Sequence, residues 1–115
     1  MSIVRLNTRP RSSSVVIHGK TVYLAGQVGT PGDDVAGQTR TILAAIDRLL
    51  AEAGTDKSRL LKATIWLADM DDFGAMNAVW DAWVAPGEAP ARATGQSRLA
   101  LPDYKVEIVC VAALP

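Results

Sequence analysis

Only two stretches of this chain carry helical periodicity, and the segments around them are patterned for strands. Val35, Ile42, Ala45, Ile46, Leu49, Leu50 and Ala53 recur at helical spacing, with Arg40, Asp47 and Arg48 between them. Asp33 or Asp34 can cap the first amides of this helix, and Gly54 suits its C-terminal stop. The second helix is expected over about 72–84, after an acidic cluster and before Pro86-Gly87. Strands are expected over 3–6, 15–17, 21–25, 60–67, 91–99 and 105–112, with His18-Gly19-Lys20 as a hairpin turn. Residues 9–14 and 26–32 are expected as loops. The order predicts an α+β sandwich, a mixed sheet with two helices on one face.

Two helices leave the other face of such a sheet uncovered, and in a monomer that face should be polar. If each strand turns its more apolar set toward the helices, the uncovered face collects Tyr23, Thr64, Trp66, Val109 and Val111, together with Arg92. Aromatics with few charges suit a subunit interface. An oligomer is therefore expected, with Arg92 near the seam.

Composition narrows the partners. The 115 residues fit one domain, spanning 1–115, with 49% hydrophobic and 21% charged residues, which excludes disorder. Twelve basic residues balance twelve acidic ones, so nucleic acid and anionic membrane are not expected as partners. A single cysteine, Cys110, excludes an intrachain disulfide framework and fits a reducing compartment. With neither a signal-peptide pattern at the start nor a membrane-spanning run, a cytoplasmic location is expected.

The segment 91–99 alternates with period two: Ala91, Ala93, Gly95, Ser97 and Leu99 on one face, Arg92, Thr94, Gln96 and Arg98 on the other. The small residues would let a helix pack closely. A planar cation followed by a hydroxyl and an amide suits a carboxylate clamp. Arg92 could instead pair with Glu107 on a neighbouring strand. Thr94 could orient water or a substrate nitrogen, or be present for β-propensity. Asn77 could line a site or bond a loop carbonyl. Trp80 and Trp83, three apart on the second helix, suggest core, whereas Trp66 could floor a cleft. Asp69, Asp71 and Asp72 fit helix capping, without the spaced ligand set of a calcium loop. His18 has no second histidine, and Cys110 alternates with Ile108 toward the core as an inert thiol.

Several segments together carry a resemblance: Leu24-Ala25-Gly26-Gln27-Val28, residues 62–70, Asp72-Phe73 to Met76-Asn77, Pro90-Ala91-Arg92, and Leu101-Pro102 to Val106-Glu107-Ile108. In this order and spacing they resemble the RidA/YjgF superfamily, also called the RutC family. Residues 77–84 and 104–108 look like its YoaB-like branch. The resemblance implies a chorismate-mutase-like fold, a ferredoxin-like sandwich, assembled as a homotrimer with ligand clefts between subunits. It implies an arginine, at Arg92, gripping the carboxylate of a small 2-keto or 2-imino acid. The implied activity is hydrolysis of 2-imino acids such as 2-iminobutanoate to 2-keto acids and ammonia, without metal or cofactor. Arg92 and Thr94 are the catalytic candidates, with Arg92, Asn77, Ala25 and Trp66 as substrate-binding candidates.

The chain departs from the founding subfamily where that has a glutamate (here Val109), a serine (Ala25), a loop tyrosine (Ser12) and a cysteine (Thr94). Two functions follow: an imine hydrolase, or a trimer that binds a carboxylate metabolite without turning it over. A ribonuclease label also attached to the family lacks its footprint here, a basic stripe, a stacking platform and a histidine pair.

Overall fold

A computed structural model describes residues 1–115. The chain runs through β1 Ile3–Thr8, β2 Ser13–His18, β3 Thr21–Leu24, β4 Gln27–Val28, α1 Val35–Ala53, β5 Leu60–Leu67, α2 Phe73–Trp83, β6 Ala91–Gln96 and β7 Val106–Ala113. All strands share one sheet in the order β1-β2-β3-β7-β5-β6, with β4 paired to β7. Only β5 and β6 pair in parallel, so the sheet is mixed, as expected. Residues 27 and 28, expected as loop, instead continue along β7 beyond β3, because Glu107 and Ile108 would otherwise leave a free edge there.

Each helix begins and ends for a local reason. The Asp34 carboxylate accepts the Gly37 amide at 2.8 Å, and Gly54 stops α1 with φ 91°, a left-handed conformation that suits glycine. Asp69 accepts the Asp71 amide at 2.9 Å in the turn before α2, whereas Asp72 makes no side-chain cap.

The core lies between the two helices and a single face of the sheet. Ile42, Ile46 and Leu50 of α1 and Met76 of α2 meet Val15, Val22, Ala63, Ile65, Val106 and Ile108, all fully buried. Within this layer Gln38 is 0% exposed. Its amide nitrogen donates to the carbonyls of Asp33 (3.0 Å) and Asp103 (2.9 Å), and its amide oxygen accepts from Lys105 N–H (2.8 Å). Gly29 passes so close that a Cβ on it would lie 2.7 Å from Gln38 Cα.

The opposite face is bare. Tyr23 (48% exposed) and Trp66 (38% exposed) stand on it with Val16, Val109 and Val111 half-buried. No helix is long and apolar enough to cross a membrane.

Cys110 sits in the core, where burial pushes its thiol pKa up to about 12. The thiolate is the nucleophile, so the folded protein at pH 8 should resist alkylation by iodoacetamide. Denatured protein should alkylate readily, and mass spectrometry of the two reactions checks this.

Candidate carboxylate site

The register of the edge strand decides where its polar side chains go. Ala63 pairs with Arg92 and Ile65 with Thr94, and directly paired residues share a face. Ala63 and Ile65 are fully buried under the helices, so Arg92 and Thr94 point to the helix side.

There α2 receives them. Phe73, Asn77 and Trp80 fall at i, i+4 and i+7 and form one stripe of the helix. The guanidinium carbon of Arg92 lies 5.4 Å from the centroid of the Trp80 ring and 5.9 Å from that of Phe73. Trp80 is 4% exposed and Phe73 38%, so the cation has a buried wall and an open one. Cation–π attraction holds the guanidinium without using its N–H groups, which stay free to donate.

Two unpartnered atoms accompany it. Asn77 Oδ1 and Thr94 Oγ1 are both buried without a hydrogen-bond partner. Buried polar atoms are nearly always paired, because each orphan costs about 1–3 kcal/mol. One orphan lies on the helix stripe that the Arg92 guanidinium reaches and the other two residues along its strand, and the chain itself satisfies neither. A bidentate donor, a hydroxyl and an amide oxygen can together hold a carboxylate with a neighbouring N–H group.

The structure corrects three expectations. Arg92 does not share the uncovered face with Tyr23, Thr64, Trp66, Val109 and Val111, and the small face of β6 is not the one that packs on a helix. Trp66 pairs with Gly95 on the open side and lies so flat that a Gly95 Cβ would be 3.0 Å from its ring. The small residues make room for an indole, and the aromatic stripe of α2 makes room for the cation. Nor does Arg92 pair with Glu107. β5 separates their strands, and Glu107 pairs with Trp66 and Val28 on the open face, its carboxylate beside Gly26.

Of the five candidates, Arg92 and Thr94 share the helix side of β6, and Asn77 lies on the α2 stripe that the Arg92 guanidinium reaches. Trp66 stands on the reverse of the sheet. Ala25 is held elsewhere, at the end of β3, by the Ser14 carbonyl. The Asn77 amide oxygen is buried without a partner. The reading of Trp80 as core is right, but its second role as a seat for Arg92 was missed, as was Phe73. Their spacing with Asn77 was the available signal.

Two larger cavities lie elsewhere, one of about 710 Å³ past the end of β6 and one of about 700 Å³ between the outer surfaces of α1 and α2, and Arg92 lines neither. No three His, Cys, Asp or Glu side chains gather where they could hold a metal ion.

The chain resembles known proteins over nearly its whole length. Residues 3–114 match the family described as Endoribonuclease L-PSP. The chain is 50% identical over 114 residues to the RutC family protein YoaB of Escherichia coli K12, covering 99% of this chain and all of that one. A rat protein named 2-iminobutanoate/2-iminopropanoate deaminase is 32% identical over 108 residues, 87% of this chain and 77% of the relative. The crystal structure of a YjgF family member from Neisseria meningitidis superposes with a TM-score of 0.98 at 47% identity, covering 100% of this chain and 97% of that one. By full-length likeness in both sequence and fold, the chain belongs to the RidA/YjgF (RutC) superfamily and is YoaB-like.

Proposed function

We propose that this chain forms a homotrimer of chorismate-mutase-like protomers that hydrolyses small 2-imino acids to 2-keto acids and ammonia at Arg92, in clefts between subunits. The observation that carries the reading is the state of Arg92, a cation seated on two aromatic rings with its N–H edge free and two unpartnered polar atoms nearby. A small carboxylate with an adjacent C=N–H group supplies what that cluster lacks. The bare, aromatic sheet face supports assembly, and the edge position of β6 lets a neighbour close the site. The buried free thiol suits the cytoplasm.

The chemistry asks little of the protein. Arg92 fixes the carboxylate and favours electron withdrawal from the adjacent carbon. Water adds to the C=N carbon and its proton passes to nitrogen, for which the Thr94 hydroxyl can both accept and donate. The proton of the new hydroxyl then passes to the carbinolamine nitrogen, the C–N bond breaks as the C=O bond forms, and ammonia departs from the 2-keto acid. Positioning alone can supply a useful part of the acceleration. No cofactor, nucleic acid or membrane enters the scheme. The name of the rat relative supports the reaction class.

A second reading is favoured by one residue. Val109, on the open sheet face that a neighbouring subunit would cover, stands where the founding subfamily has its glutamate, and an inter-subunit cleft without that carboxylate suits binding or sensing of a carboxylate metabolite. Hydrolysis of 2-iminobutanoate, generated in situ and trapped by semicarbazide, separates the two. Acceleration over the uncatalysed rate is the expected result. A rate equal to background, with saturable binding of 2-ketobutanoate, would overturn hydrolysis and leave the sensing trimer.

A further inference from the structure

Beyond the C-terminal ends of β5 and β6, the only parallel strands in the sheet, the loop 97–104 curls round the cavity of about 710 Å³. Its polar lining is weighted toward donors. Arg98 is exposed and permanently charged, and no carboxylate side chain lines the cavity. The Gln96 amide oxygen is occupied by the Met70 N–H at 2.9 Å, which leaves the amide nitrogen as its free end. The Ser97 hydroxyl donates to the Arg98 carbonyl at 3.1 Å, and the half-buried Tyr104 adds a phenol. Leu99 and Leu101 supply apolar wall, with Leu101 48% exposed.

We propose that this cavity is a second ligand site, separate from Arg92, and that it takes an organic monoanion carrying an apolar body larger than a four-carbon acid. Each part of the assignment has a physical reason. A guanidinium with no carboxylate in the lining attracts an anion and forms charge-assisted bonds to it. A free amide N–H and a phenol O–H add donors, whereas a cationic ligand would meet only repulsion from Arg98. The volume falls in the range of small-molecule pockets, and the leucines give an aryl or branched group something to bury against. Crevices past the C-terminal ends of parallel strands are recurrent ligand sites in open sheets.

Gln96 makes the site consequential. It lines this cavity and also holds the entrance of α2 through Met70, and α2 carries the Phe73 and Trp80 rings that seat Arg92. An occupant that pulls on Gln96 therefore bears on the helix that shapes the carboxylate clamp.

The test is titration of the assembled protein with benzoate, followed by backbone amide NMR shifts, with benzyl alcohol as the uncharged probe. Saturable shifts at residues 97–101 and 104 are expected, with benzyl alcohol binding more weakly. Arg98→Ala, at an exposed position, should weaken benzoate by about tenfold or more, the loss of one charged hydrogen bond. Arg92→Ala should leave those shifts unchanged. Shifts confined to Arg92 and Thr94, affinity unaffected by Arg98→Ala, or no saturable shift at all would each overturn the proposal. The last outcome includes a mouth closed by a neighbouring subunit.

Discussion

Arg92→Ala should lose 2-iminobutanoate hydrolysis by roughly 30- to 1,000-fold in kcat/KM, and Arg92→Lys should recover little of it. The substitution removes a charge-assisted bidentate contact worth about 2–4 kcal/mol, and each 1.4 kcal/mol is a factor of about ten. Lysine keeps the charge but not the fork. Its compact, strongly hydrated ammonium cannot sit against Trp80 and Phe73 while presenting two parallel N–H groups to a carboxylate. The fold should survive, because Arg92 contributes only about 1 kcal/mol of cation–π attraction at this half-buried position. Circular dichroism and elution volume should therefore match wild type while turnover collapses. A lysine variant with wild-type kinetics would show that charge alone suffices and would sink the bidentate clamp. An alanine variant with wild-type turnover would remove Arg92 from the reaction altogether.

Much of the fold was legible because local rules and the global fold agree along most of this chain. Asp34 caps, Gly54 stops and residues 60–67 form a strand, each for the reason its side chain suggests. The site was legible only in part, and the reason lies in β6. Period two separates Arg92 and Thr94 from Ala93 and Gly95, but it cannot say which set the helix covers. The usual guide, that the less polar set goes inward, fails at an edge strand where the partners themselves break the rule. An indole on the bare face claims Gly95, and two rings on the helix claim the guanidinium. Both claims are made by residues distant in sequence, Trp66 on β5 and Trp80 on α2, so no window around Arg92 contains them. β4 was missed for a related reason, because its pairing depends on how far β7 outruns β3.

The largest loss of stability outside the apolar core is expected from Gln38→Leu. The two side chains are close in volume, so the substitution leaves little cavity and isolates the hydrogen bonds. It strands the Asp33 and Asp103 carbonyls and the Lys105 N–H, three backbone groups now satisfied by one fully buried amide. At about 1–3 kcal/mol for each group that stays dry, and with some regaining water, the loss should be about 3 kcal/mol. For a chain of this size that corresponds to a fall in Tm of roughly 10 °C. The space cannot adjust by letting Gly29 move in or out freely, since that glycine already abuts the helix backbone at Gln38. The effect should also be local in a telling way. Amide exchange should speed up first at Lys105, whose N–H loses its acceptor, while α2 and the Arg92 seat keep wild-type protection. Turnover at a temperature well below the new Tm should therefore be unchanged. A variant as stable as wild type would mean that these backbone groups find water as readily as they find Gln38, and that the glutamine is a passenger in the core.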